Sequence, residues 1–225
     1  GSEARRQSRI DPLLLWTKLH VRYAGQEKAA ISTATGHVQR GTFTALLGPA
    51  GSGKTTLLQC LAGRLPSDVS VTGSAAVRGK PMDSERMKTM SSYVADEDLF
   101  LPHLETLESL FFVARMRVRT AKMSDGALTD LCMLLLEELG LADKANVMVG
   151  GELSGGLNVR GLSDGQRRRL SLGCGLVSKP TLIFADEPTS GLDASSSLSV
   201  MQVMHDLAAN ANLGIICTAH RPRHA

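Results

Sequence analysis

The sequence predicts an α/β protein whose core is a mainly parallel sheet covered by helices on both faces. Three observations carry that prediction. The apolar run Thr42-Phe43-Thr44-Ala45-Leu46-Leu47 leads through a glycine-rich loop into a segment with Leu57, Leu58 and Leu61 at helical spacing. A second run, Thr181-Leu182-Ile183-Phe184-Ala185, is followed by a helical stretch over about 194–209 and then by Leu213-Gly214-Ile215-Ile216-Cys217. Short apolar runs alternating with helices mark strands buried on both faces, as parallel sheets require. The third is size: 225 residues, 43% hydrophobic and 21% charged, can bury such a core without a metal or disulfide staple.

Taken in order, Leu13-Leu14-Leu15-Trp16, Leu19-His20-Val21-Arg22-Tyr23 and residues 29–38 read as separate strands ahead of the glycine-rich loop, with Gly25-Gln26 and Gly41 at the turns. Trp16 reads as core. Residues 65–95 return to β character through Val69, Val71 and Val77, then Ser92-Tyr93-Val94-Ala95. The period changes after that. Leu107, Leu110, Phe111 and Ala114 fall at i, i+3, i+4, i+7, as do Leu128, Leu131, Cys132 and Leu135, so about 105–140 is a helical block.

The net charge of +3 is too small to mark a nucleic-acid binder, and no nucleic-acid partner is expected. The triplets Arg115/Arg117/Arg119 and Arg167/Arg168/Arg169 read as solvated helix faces. Cys60, Cys132, Cys174 and Cys217 are scattered without a C-x-x-C spacing, which suggests neither a zinc site nor a disulfide framework and fits a reducing, cytosolic compartment. No stretch approaches the roughly 18 consecutive apolar residues of a membrane span. Gly1-Ser2 reads as a cloning remnant on a tail over 1–12, and no signal pattern opens the chain.

Gly48-Pro49-Ala50-Gly51-Ser52-Gly53-Lys54-Thr55, with Thr56 beside it, satisfies G-x-x-x-x-G-K-[ST] between a strand and a helix. Glycines let successive backbone N–H groups face phosphate oxygens, and the helix N-terminus adds its positive dipole end. Lys54 would meet the outer phosphates and Thr55 would be a Mg²⁺ ligand. Downstream, the strand Leu182-Ile183-Phe184-Ala185 ends in Asp186-Glu187-Pro188. Such a pair suits a nucleotide hydrolase, with Asp186 at the metal and Glu187 deprotonating the attacking water.

With these motifs, Leu162-Ser163-Asp164-Gly165-Gln166, followed by Arg167-Arg168-Arg169, resembles the signature sequence of ATP-binding cassette (ABC) ATPases. Ser190-Gly191-Leu192-Asp193 is similar to that family's D-loop, and His220 to its switch histidine. The resemblance covers about 13–223. Leu153-Ser154-Gly155-Gly156 is also signature-like, but Ser163 lies 23 positions before Asp186 whereas Ser154 lies 32 before it. Ser163 and Gln166 also have capping-box spacing, so 162–166 is the signature. The segments around Arg160-Gly161, Asp186 to Asp193 and Cys217-Thr218-Ala219-His220-Arg221-Pro222 are similar to the eukaryotic G subfamily, of the white and pleiotropic-drug-resistance type.

The resemblance implies the P-loop ABC-ATPase fold, in which an antiparallel β subdomain and a helical subdomain at about 97–178 join the parallel core within one domain over 13–225. It implies a cytosolic-face domain that binds ATP and Mg²⁺ and drives transport by head-to-tail association with a second nucleotide-binding domain, the same or different. A transmembrane domain in the same polypeptide is its expected partner, met by the helical block at 105–140. The chain would stop soon after the switch histidine. Glu187, His220 and Lys54 are then the catalytic group, and Thr55, Asp186 and Asp96 the metal group. The signature residues 162–166 and Asp193 act across the dimer. Tyr23 is open between stacking on adenine and a half-buried strand tyrosine. Two other functions stay open: a nucleotide-binding regulatory module with little hydrolysis, and a soluble cassette ATPase acting on ribosomes or DNA.

Two positions depart from the family pattern. Asp96 stands where the Q-loop has glutamine. Asp164 replaces the signature's first glycine, which favours its own helix start by about 0.3–1 kcal/mol but directs a negative charge at a γ-phosphate site. Two unit charges about 4 Å apart repel by about 4 kcal/mol at an effective dielectric near 20, so weakened ATP-driven dimerisation is expected.

Overall fold

The computed structural model describes residues 12–97, 100–118, 123–153 and 156–220, with only the backbone of His220. Its centre is a parallel sheet of strand order β3-β10-β9-β6, where β3 is Phe43–Gly48, β6 Ser91–Val94, β9 Leu182–Ala185 and β10 Gly214–His220. Successive side chains of a strand face opposite sides. Leu182, Phe184 and Ile216 therefore enter one apolar cluster, while Ile183, Ala185, Ile215 and Cys217 enter the other. All four residues of β9 are buried, which explains why its sequence is uniformly apolar.

On the first face lie α1 (Lys54–Leu61), through Leu58 and Leu61, and the sheet β2-β1-β4-β5. That sheet is antiparallel, from β1 (Leu14–Arg22), β2 (Ile31–Val38), β4 (Ser70–Val77) and β5 (Lys80–Pro81). The two N-terminal strands read from the sequence are one. Leu14 and Trp16 are buried and so are Leu19 and Val21, a change of phase by one residue that the pairing takes up as irregularities on either side of Leu19, with Lys18 at φ 51. A bulge inserts one residue and reverses the alternation beyond it, which makes one strand look like two. Trp16 is core, 4% exposed.

A short helix, α2 (Ser84–Met90), interrupts the region read as β. It buries only Met87, so no apolar stripe announces it; its local signs are the Asp83 side chain accepting from the Glu85 N–H and Glu85 in the first turn. The other face of the central sheet carries α3 (Thr106–Arg117), α4 (Asp125–Glu138), α5 (Asp164–Leu176) and α6 (Ala194–Asn210), packed through Leu110, Leu136, Leu170 and Met204. The two apolar periods of the helical block are α3 and α4. A small hairpin of β7 (Gly151–Glu152) and β8 (Asn158–Val159) precedes α5. The signature-like segment at 153–156 falls at its turn, with Ser154 and Gly155 outside the described residues. Among the described residues no helix is long and apolar enough to cross a membrane.

Arg115 and Arg117 are exposed as expected, but the second triplet, Arg167/Arg168/Arg169, is not the solvated face expected of it. Arg168 is 5% exposed and donates to the carbonyls of Ala95, at 2.7 Å, and Asp96. Arg169 donates to the Leu139 carbonyl at 2.9 Å and Arg117 to that of Cys174 at 3.1 Å, cations supplied to carbonyls that helices and strand ends leave without partners. Arg115 pairs with Asp125 at 2.8 Å; Arg119 lies outside the described residues.

Two outcomes follow for stability. A Cβ at Gly161 would stand 2.3 Å from the Met148 carbonyl oxygen and 2.5 Å from the Gly150 nitrogen, both backbone. Gly161→Ala is therefore expected to cost about 1–3 kcal/mol, read as a lower urea midpoint. Burial pushes the thiols of Cys60 and Cys132 up to about 11 and that of Cys217 to about 12, from 9.0. The unfolded chain then ionises first, so the stability these thiols confer is whole below pH 9.0 and is lost as pH rises through their folded values. Urea midpoints should fall above pH 9.0, and less steeply in Cys217→Ala.

Candidate functional site

The glycine-rich loop closes on α1 with Gly53 at its N-cap in the left-handed conformation, φ 86, and no side chain capping the helix. A Cβ there would lie 2.5 Å from the Ala30 carbonyl oxygen, so only glycine lets the loop pass this close to the start of β2. The first N–H groups of α1 stay open to a ligand. Lys54 Nζ donates to the carbonyls of Gly48 at 3.0 Å and Pro49 at 2.9 Å, which folds the cation over the loop. A cavity of about 360 Å³ lies here, lined by Ala30, Ala50, Gly51, Gly53 to Thr56 and Glu187. Gly48, Pro49 and Ser52 belong to the loop but not to this lining. Tyr23 follows β1, is half-buried and is not part of this lining.

Asp186, 5% exposed, collects hydroxyl donors from three other elements. Thr55 Oγ1 donates to its Oδ1 at 3.1 Å, Thr218 Oγ1 to the same oxygen at 2.6 Å, and the Tyr93 hydroxyl to Oδ2 at 2.9 Å. The Glu187 N–H donates to Thr218 Oγ1 at 2.8 Å. Glu187 itself stands at φ 44, a conformation costly for a non-glycine residue, and the bonded amide beside it holds it there. Burial, then the hydrogen bond to Asp186, raises the Tyr93 pKa. Thr218 and Tyr93 were not singled out from the sequence. Their signals were faint: a threonine two places before His220, and a tyrosine in the strand leading to Asp96.

The donor chemistry at Thr55 and Asp186 suits a hard cation, since both offer oxygen. Asp96 is exposed, and its Oδ1 accepts from the Glu97 N–H at 3.1 Å rather than joining them. No cluster of three or more His, Cys, Asp or Glu among the described residues could hold a metal. The His220 backbone pairs in register with Gly48, at the mouth of the loop; its side chain lies outside the described residues.

The signature segment sits elsewhere. Ser163 caps α5 in a full capping box, its Oγ accepting from the Gln166 N–H at 3.3 Å while Gln166 Oε1 accepts from the Ser163 N–H at 2.9 Å. Leu162 is buried just before it. Asp164 forms an ion pair with Arg167, one turn on. Gly165 packs against α6, where a Cβ would meet Ser196 Cβ at 3.0 Å. Asp193 caps α6, accepting from the Ser195 and Ser196 N–H groups at 2.9 and 3.0 Å, and hydrogen bonds from Ser196 and Ser195 hold its carboxyl well below the usual carboxylate range. Asp164, Arg167, Arg168, Ser190, Gly191 and Leu192 share a cleft of about 450 Å³. None of its lining residues belongs to the phosphate-loop cavity.

Comparison with known proteins shows the family. The family model described as ABC transporter matches residues 31–190. The chain is 40% identical over 189 residues to ABC transporter G family member 22 of Dictyostelium discoideum, which is 84% of this chain and 30% of that protein. It is 41% identical over 198 residues to G family member 4 of the same organism, covering 88% of this chain and 24% of that one. Against G family member STR2 of Medicago truncatula it is 37% identical over 205 residues, 91% of this chain and 27% of the relative. The chain thus spans 24–30% of the length of these relatives. It belongs to the ABC transporter family, as a nucleotide-binding domain of the G family type.

Proposed function

We propose that this chain binds Mg²⁺ and ATP at its phosphate loop and hydrolyses the ATP, as the cytosolic-face motor of a membrane transporter. The observation that carries the reading is the Thr55–Asp186–Thr218–Glu187 network beside the phosphate-loop cavity. Lys54 Nζ would exchange the Gly48 and Pro49 carbonyls for phosphate oxygens. Thr55 and Asp186 would hold the metal, which, when bound, neutralises charge on the phosphates. Thr218 fixes the Glu187 amide, and Glu187 borders the cavity, which suits its carboxylate to take a proton as water attacks the γ-phosphorus and the bond to ADP breaks. His220 enters at the loop mouth and would orient that water. Asp96 is left outside the metal group unless its loop moves.

The signature segment and D-loop line a separate cleft, so the reading needs a second nucleotide-binding domain whose Ser163 helix end and Asp193 loop complete this chain's ATP site. The relatives are named as transporters and are three to four times longer than the matched region; in this reading the membrane helices belong to the same polypeptide. The Asp164–Arg167 pair lowers the charge cost expected of Asp164 alone.

Glu187→Gln is expected to slow ATP turnover by about 10²–10⁴-fold while ATP binding persists; unchanged turnover in a preparation active before the substitution rejects Glu187 as base. For the signature helix, ATP-dependent dimerisation measured by analytical ultracentrifugation should rise modestly in Asp164→Gly. It should fall in Arg167→Ala, which leaves the Asp164 charge without its partner. Equal dimerisation in all three proteins would remove any role for this pair.

A further inference from the structure

A larger cavity, of about 670 Å³, lies at the opposite end of the central sheet. Ser91 and Ser92 line it and open β6, and in a parallel sheet that end faces away from the end where β3 meets the phosphate loop. The ends of four helices supply the walls: Arg64 just beyond α1, Lys88 in the last turn of α2, Arg117 closing α3, and Lys179 beyond α5. Among the described residues no carboxylate lines it. Glu85, outside the lining, pairs with Lys88 at 3.1 Å through two exposed side chains, a contact that solvent weakens.

The two arginines are held by neutral groups. The Arg64 guanidinium lies 5.4 Å from the Tyr93 ring centre, and Arg117 donates to the Cys174 carbonyl and, at 3.5 Å, to Ser92 Oγ. Partial loss of hydration, then the charge of Arg117, lowers the Arg64 pKa. Lys179 holds the left-handed conformation, φ 49, at a helix end where glycine is the usual residue, with its N–H donating to the Leu176 carbonyl at 2.8 Å. One wall is apolar: Val118, Met123 and Leu131 pack against the α3–α4 core.

We propose that this cavity binds an amphiphilic phosphomonoester, its dianionic head among Arg64, Lys88, Arg117 and Lys179 and its apolar portion against Val118, Met123 and Leu131. A phosphate matches this charge better than a carboxylate, because its three oxygens and higher charge can engage two guanidinium forks and two ammonium groups together. Arg64 also links the site to the nucleotide side, since it covers the Tyr93 ring whose hydroxyl donates to Asp186. Such a head has two sources, a lipid in a bilayer or a soluble alkyl phosphate.

Titration with hexyl phosphate, inorganic phosphate and hexanol, followed by calorimetry, tests the site. Hexyl phosphate is expected to bind about tenfold or more tighter than inorganic phosphate, and hexanol not measurably, because head and tail contribute together. Lys88→Glu/Lys179→Glu, changed at exposed positions, should weaken it by about tenfold or more with no loss of thermal stability, and raised salt should weaken it in the wild type. Lys54→Ala should leave it unaltered. Sedimentation with phosphatidylcholine vesicles containing phosphatidate assigns the lipid source if the wild type binds and the double variant does not; hexyl phosphate binding without vesicle binding assigns a soluble one. No hexyl phosphate binding, binding that survives the double variant, or binding lost in Lys54→Ala overturns the proposal.

Discussion

The buried carboxylate of Asp186 is the constraint on which the rest of the site depends. A charge that is 5% exposed is tolerable only when hydrogen bonds replace its lost water, and bonds to a charged acceptor are among the stronger ones. Each donor comes from a different element: Thr55 from α1, Tyr93 from β6 and Thr218 from β10. The phosphate loop, the strand leading to Asp96 and the strand leading to His220 are thereby fixed to one point. Thr218 hands the constraint on by accepting the Glu187 N–H, which fixes the backbone of the half-buried Glu187 beside the loop cavity. Removing any one donor would leave a partly desolvated oxygen, so the network resists piecemeal change.

That network also explains what the sequence disclosed. The phosphate loop, the Asp186-Glu187 pair and the Ser163 cap are local patterns, because the work of each depends on residues a few positions apart. Ser163 and Gln166 satisfy each other within one helical turn, and their spacing alone identified the helix start. Tyr93 and Thr218 are different. They act across 93 and 32 positions of chain on the same carboxylate, so their roles exist only once the parallel sheet sets β6 and β10 on either side of β9. The strand β9 is legible because it is apolar throughout, whereas α2 is not because it buries a single residue.

The arginines of α5 show a further limit of charge counting. Three consecutive cations resemble a solvated run, yet consecutive helical residues point in different directions, about 100° apart at 3.6 residues per turn. Arg167 therefore reaches back to Asp164, Arg168 enters the core to the carbonyls that end β6, and Arg169 meets the end of α4. One triplet thus joins the signature helix to the segment carrying Asp96 and to the helical layer. The departure at Asp164 is absorbed in the same way, by a partner that the triplet already supplies.

The division of the chain into two clefts gives these contacts their functional sense. The phosphate-loop cavity and the signature cleft share no lining residue, although Glu187 in one and Ser190 in the other are only three positions apart, and the Ser190 N–H donates to the Glu187 carbonyl at 2.9 Å. A single turn therefore carries the border between them. Movement of that turn in response to a γ-phosphate would reach the D-loop and the start of α6 directly, because Asp193 caps α6 and Gly165 holds α5 against it. Two helix N-termini, capped by Ser163 and Asp193, are thereby locked side by side with their positive dipole ends together. In the proposed reading, where the site is assembled between two copies or two related domains, the turn at 187–190 is the element that ties the phosphate-loop cavity to the D-loop.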